Sequence, residues 1–258
     1  MEKNLVKQLN SFSVFRDFLR DPLIQAAQNL LEAKEPAFQT AYCDFAAMLL
    51  KNGGDFSAYL KWLLDCSENA LIRKYAAKKT LTNYETDALR FELETLSNLS
   101  GMEPEWFAAF FEKDVFYPKW EACKTDFVQY YQTKLQHLSH EGFGIFSVFQ
   151  AFRFTDRGLE PVKNPDPQSE KDLFGYKEQR KKVFDNTSAL LKGKPANNVL
   201  LYGDAGTGKS STVKAVWNRW KNHGLRLIEI PKTLFHRIPE LIDKLTEYPL
   251  KFILFIDD

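Results

Sequence analysis

The sequence predicts an α/β protein in two parts: a helical first half, then a second half in which strands and helices alternate. Three observations predict it. Before about residue 140, apolar residues recur at three- and four-residue steps, as in Phe38, Tyr42, Phe45, Ala46 and Leu49. After residue 198, short apolar runs of strand length alternate with helical spacing: Val199–Tyr202, Leu225–Ile230 and Phe252–Ile256. Between the halves, Pro161, Pro165 and Pro167 remove three backbone donors and punctuate a connector.

In chain order, the helical half begins with Phe12, Phe15, Phe18 and Leu19 at helical steps. Asp21 and Pro22 supply a cap and first-turn proline for a helix over Leu23–Ala33. Pro36 restarts another, Gly53 and Gly54 break it, and Asp55 caps a helix bearing Phe56, Tyr59, Leu60, Leu63 and Leu64. Thr82 and Glu85 have the spacing of a capping box ahead of Leu89, Leu93 and Leu96. Pro104 opens a short aromatic helix with Trp106, Phe107, Phe110 and Phe111, and a last helix is expected over Trp120–Leu138. This amphipathic spacing assigns the aromatics to a core rather than to a base-stacking surface. Arg73, Lys74, Lys78 and Lys79 read as a solvated helix face. His137 and His140 stand three apart at an expected helix end and are not read as a metal site.

Composition narrows the partners. Hydrophobic residues make up 44% and charged residues 27% of 258 residues, a globular balance. A formal net charge of +1 indicates neither nucleic acid nor anionic lipid as a partner. Cys43, Cys66 and Cys123 are an odd, widely spaced set, read as buried or partly buried free thiols of a reducing compartment. No signal-peptide pattern opens the chain and no apolar run approaches the roughly 20 residues of a membrane span, so a cytoplasmic protein is expected.

The chemistry concentrates at Gly203, Asp204, Ala205, Gly206, Thr207, Gly208, Lys209, Ser210 and Ser211. From Gly203 to Ser210 the residues read G-x-x-x-x-G-K-S, the P-loop pattern. The apolar run Val199–Tyr202 reads as a buried parallel strand before it, and Val213, Val216, Trp217 and Trp220 give helical spacing after it. A loop between strand and helix can surround a polyphosphate with backbone N–H groups and a helix N-terminus. The glycines allow the tight turn, Lys209 reaches the β- and γ-phosphate oxygens, and Ser210 offers its hydroxyl to Mg²⁺. The run Phe252–Ile256 ends in Asp257 and Asp258. Asp257 is expected to hold the magnesium, and Asp258 to orient or deprotonate an attacking water. Lys209 and Asp258 are thus the candidate catalytic residues, with ATP and Mg²⁺ as ligands. The expected division is a helical domain over 1–141, an extended segment and proline-rich linker over 142–167, and the start of an ATP-binding domain over 168–258.

The second part resembles the bacterial P-loop ATPases grouped as domain of unknown function 815, within the AAA+ class. The resemblance rests on Leu159–Val162, Asn164–Pro167, Asp172–Arg180, Asn186 with Thr187, Pro195–Asp204, Gly206–Ser211, Gly224–Glu229 and Lys251–Asp258, collinear over about the last two-fifths of the chain. It implies an incomplete P-loop NTPase (AAA+) three-layer α/β core. By analogy, Phe174, Gly175 and Tyr176 would border the adenine. It also implies Mg-ATP hydrolysis coupled to remodelling or loading a partner macromolecule, and homo-oligomers of the intact protein. The alternative is a nucleotide-gated scaffold that hydrolyses slowly or not at all. A small-molecule kinase finds no acceptor segment or lid in the sequence. Asp258 stands where many AAA+ ATPases have Glu. The resemblance further implies a continuation past the two acids, as in members of that family, into a sensor strand, an arginine finger and a helical lid. Sheets of this class resemble the order 5-1-4-3-2, so without that strand Val199–Tyr202 and Phe252–Ile256 are not expected to be neighbours. The chain alone is expected to be an inactive portion of the ATPase.

Overall fold

A computed structural model describes residues 2–112, 115–166 and 168–256. The chain divides into two compact units, Met1–Leu135 and Gln136–Asp258.

The first unit is helical. It contains α1 (Glu2–Asn10), α2 (Pro22–Glu32), α3 (Phe38–Lys51), α4 (Phe56–Cys66), α5 (Ala70–Ala76), α6 (Asn83–Ser100) and most of α7 (Phe127–Gln136), with 3-10 turns at Arg16–Arg20 and Pro104–Phe110. The start signals work as the sequence indicates. Asp21 accepts from the N–H groups of Leu23 and Ile24, Asp55 from that of Ala58, and Thr82 and Glu85 form a reciprocal capping box. Each such cap contributes about 1 kcal/mol. The aromatics form the core: Tyr42 packs against Phe107 and Trp120, and Phe45 against Phe56 and Trp120, all five buried. Arg73 and Lys74 pair with Glu68 and Glu85.

Three expectations for this unit are corrected. Phe12–Leu19 does not form a helix across its length. The carboxylate of Glu92, only 1% exposed, accepts from the N–H groups of Ser13, Val14 and Phe15 at 2.6, 2.9 and 2.8 Å, so these donors are engaged by α6 rather than by a helical ladder. The helix expected from Trp120 begins only at Phe127. Before it, Trp120 Nε1 donates to Met102 O, Glu121 bridges to Asp55, and Asp126 accepts from Gln129 N–H where the helix starts. Cys43 and Cys123 are exposed and only Cys66 is half-buried, so the thiols are not core residues as a set.

The second unit is built on a four-stranded sheet. Its elements are α8 (Leu138–Glu141), α9 (Ile145–Val148), β1 (Ala151–Thr155), β2 (Gly158–Pro161), α10 (Lys177–Leu191), α11 (Lys209–Trp220), β3 (Leu225–Ile230), α12 (Ile238–Leu245) and β4 (Lys251–Ile256). The sheet order is β2-β1-β3-β4. β1 and β2 form an antiparallel hairpin, whereas β1 with β3 and β3 with β4 are parallel. Successive side chains of a strand point to opposite faces. On one face, Ala151, Leu227, Ile253 and Phe255 meet Val213 and Trp217 of α11. On the other, Phe152, Phe154, Ile228, Ile230 and Leu254 meet Phe146, Leu234, Leu241, Leu245 and Leu250. Burial on both faces is why β3 and β4 read as near-continuous apolar runs.

The segment expected as an extended stretch and linker, 142–167, thus contributes two strands to this sheet. β1 is its second strand because Phe152 and Phe154 fill one face while Ala151 fills the other. Arg226 pins the N-terminal end of the inner strand β3. It is 2% exposed and donates to the carbonyls of Glu141, Phe146 and Lys221 at 2.7, 2.8 and 3.0 Å. Burial lowers its pKa to about 10, so it is still charged at neutral pH. Gly224 is required beside it, because a Cβ there would collide with the carbonyl oxygen of Ser139.

Candidate functional site

The glycine-rich run folds as a loop that closes on its own lysine. Gly203, Gly206 and Gly208 have φ of 143°, 79° and 81°, a region that side chains with a Cβ rarely adopt. Lys209, the first residue of α11, turns its ammonium back over the loop and donates to Gly203 O at 2.8 Å and Asp204 O at 2.9 Å. Thr207 Oγ1 donates to Asp204 O at 2.9 Å. The N–H and Oγ1 of Thr212 both donate to Gly208 O, which starts the helical ladder. A Cβ at Gly206 or Gly208 would meet no described atom within 4 Å. The glycines therefore serve the backbone path, not a crowded packing position. The first-turn N–H groups of α11 lie at the mouth of this loop, where a helix carries partial positive charge.

α11 is held firmly behind the loop. Its buried Trp217 donates Nε1–H to Gln150 O at 3.0 Å, Asn218 donates to Gln168 O at 2.9 Å, and Arg219 pairs with Glu170 at 2.8 Å. The first half of the helix faces the carboxyl ends of the parallel strands. There Lys214, Arg153, Glu229, Ile230, Pro231 and Phe255 line a cleft of about 350 Å³. Crevices at the carboxyl ends of strands are where open α/β sheets take ligands. Arg153 stands 3.7 Å from Glu229, and Lys214 stands 3.8 Å from Asp166, longer than a direct charge-assisted hydrogen bond. Arg153 and Lys214 do not stand out in the sequence, because single charged residues on a strand and a helix face read as surface.

The structure departs from the sequence expectation on the approach to the loop. Val199–Tyr202 forms no strand, and Leu200 and Tyr202 are 84% and 88% exposed. A strand needs a paired neighbour to be stable. Among the described residues β4 pairs with β3 alone and does not reach this segment, which agrees with the expectation that the two runs are not adjacent. Only Leu201 of the segment packs against the cluster around Val213 and Trp217. The chain just upstream is clamped at one point: Asn186 of α10 donates Nδ2–H to Asn197 O at 2.8 Å and accepts from Asn197 N–H at 2.9 Å.

The turn expected beside a base lies apart from the loop in its contacts. Gly175 and Tyr176 have φ of 68° and 47°, and Tyr176 is the N-cap of α10. Phe174 and Tyr176 are exposed. Among the described residues no hydrogen bond or ring contact joins Phe174, Gly175 or Tyr176 to the loop. The connection runs through α10, whose Phe184 packs on Ala215 and Val216 of α11. Asp257 and Asp258, expected to hold magnesium and to orient water, lie outside the described residues.

No curated protein and no solved structure matches the chain. Residues 147–258 match the model of a family described as "Protein of unknown function (DUF815)". The match begins before β1 and so takes in the whole sheet as well as the loop. The resemblance carried by the motif residues therefore holds across this C-terminal part of the chain, which is the part that matches the DUF815 family.

Proposed function

We propose that the Gly203–Ser211 loop is a P-loop that binds the polyphosphate of Mg-ATP, and that the second unit is part of an AAA+ type ATP-binding core. One observation carries this reading. The loop curls around its own Lys209 at the N-terminus of α11, and Lys214 of that helix lines a cleft with Glu229, Ile230 and Phe255 at the carboxyl ends of the parallel β3–β4 pair. Helices on both faces of that pair support the same reading.

The residues fit the ligand by their chemistry. The Lys209 ammonium already bonds to carbonyl oxygens, so it can turn to phosphate oxygens without being drawn from an apolar pocket. The open space above Gly206 and Gly208 lets backbone approach a phosphate closely. Bound Mg-ATP would supply the phosphoanhydride and the metal's charge. Ser210 and Asp257 are assigned to the metal, and Asp258 to the attacking water. In this reading, ATP binding or turnover remodels or loads a protein partner, with the helical first unit as the recognition part, and the protein acts as an oligomer.

A second reading is a nucleotide-gated binding module with little turnover. The unpaired Val199–Tyr202 segment favours it for this chain, because the loop lacks a strand on its upstream side.

Calorimetric titration with Mg-ATP tests the first step. The chain should bind, and Lys209→Ala should abolish binding without loss of secondary structure. Equal affinity of both proteins would refute the phosphate assignment. Single-turnover hydrolysis then separates the two readings: tight binding without phosphate release, unaltered by Asp258→Asn, supports the gated module.

A further inference from the structure

We propose that Asn186 is a positioning residue for the glycine-rich loop: it fixes the path by which the chain reaches Gly203. The inference rests on the reading of that loop as a polyphosphate site.

Asn186 sits in the second half of α10 and bonds both backbone groups of Asn197. Its amide acts as a strand neighbour would, offering one donor and one acceptor at fixed spacing. The clamp is anchored from behind. Phe184, two residues earlier, is buried against Ala215 and Val216 of α11, and Thr187, one residue later, is also buried. α11 in turn carries Lys209. The helix that follows the loop and the segment that precedes it are thus tied together through α10.

This tie has little competition. Among the described residues, the two bonds to Asn186 are the only hydrogen bonds made by residues 195–202. Upstream, the next hydrogen-bonded residue is Lys194, which donates to Ala189 O at the end of α10. Without Asn186, the stretch lacking hydrogen bonds before the loop would grow from residues 198–202 to residues 195–202. A longer free stretch samples more arrangements, and binding must remove that freedom. The bonded groups of Asn197 are its backbone, so the identity of its own side chain is not needed for the clamp.

The test uses the full chain with two probes, Mg-ATP and Mg-tripolyphosphate, titrated calorimetrically, together with amide exchange at Asn197. Asn186→Ala should weaken both probes by the same factor, about tenfold, and expose the Asn197 amide to exchange. Asn186→Asp keeps the acceptor and loses the donor, so it should retain amide protection and show an intermediate affinity. Asn197→Ala should bind both probes as the parent does. The inference is overturned if Asn186→Ala binds both probes normally, if it weakens ATP alone, or if Asn197→Ala loses as much affinity. Failure of the parent chain to bind either probe would instead refute the polyphosphate reading, and the inference with it.

Discussion

Lys209 Nζ lies 2.8 Å from the carbonyl oxygen of Gly203, the residue that opens its own loop. With the second bond to Asp204 O, the lysine organises the loop from inside before any ligand arrives. Lys209→Met should therefore act twice. Without nucleotide, amide exchange across residues 204–208 should rise. With Mg-ATP, affinity should fall by about 100-fold or more, since a charged contact is lost along with loop order. Unchanged exchange in the variant would show that the two bonds do not hold the loop.

Gly208 is the N-cap of α11 at φ 81° and ψ 25°, with no described atom near its missing Cβ. Gly208→Ala should cost about 1–2 kcal/mol of stability from backbone conformation alone. Denaturant titration reads that loss. Mg-ATP affinity should fall further, because an altered backbone re-aims the N–H groups at the mouth of the helix.

Glu92 carries a structural load in the first unit. Its carboxylate accepts from the N–H groups of Ser13, Val14 and Phe15 and from Ser13 Oγ. Glu92→Gln puts an amide donor against N–H donors in a buried place. The expected loss is about 2–3 kcal/mol in the unfolding transition of that unit, while nucleotide affinity stays as in the parent.

Arg226 holds three carbonyl groups at the N-terminal end of the inner strand β3. Arg226→Met leaves the oxygens of Glu141 and Phe146 without that donor and should destabilise the second unit by about 3 kcal/mol. Arg226→Lys should recover only part of the loss, because an ammonium cannot span the same carbonyls. Thermal unfolding of the three proteins checks the ranking.

Glu240 on α12 is held down to a pKa of about 2 by its hydrogen bonds to Lys244 and Arg237 and by their charge. A carboxyl whose folded pKa is depressed contributes stability above its unfolded value of about 4.5. That contribution fades as pH falls from about 4.5 towards 2. The stability difference between the parent and Glu240→Gln should therefore be present at pH 7 and shrink through this acid window. High salt should reduce it, since the group is exposed.

Local signals made much of the architecture legible. Asp21, Asp55 and Thr82 marked helix starts because a cap is decided within four residues. Leu225–Ile230 and Phe252–Ile256 are readable because strands packed on both faces are rich in apolar residues. What failed depended on distant partners. Ser13–Phe15 carry a helical pattern, and Glu92, which takes their N–H groups instead, lies 77 or more residues away. Val199–Tyr202 has the composition of a strand, but composition does not supply a neighbouring edge. Residues 142–154 read as an extended stretch and Pro161–Pro167 as a connector, but the pairing of Ala151–Arg153 with Leu227–Glu229 joins segments too far apart in the chain to be visible in either. At the candidate site, the sequence named Gly203–Ser211, while the Asn186 clamp could be seen only once α10 and Asn197 were placed together.

The placement of the thiols has a practical consequence. All three cysteines precede residue 136, and Cys43 and Cys123 are open to solvent. A maleimide dye will therefore mark the helical unit and leave the sheet unit dark. With Cys43, Cys66 and Cys123 changed to Ser, one cysteine introduced in the glycine-rich loop becomes an addressable fluorescent site. The protein thus arrives with one unit ready for labelling and the other blank.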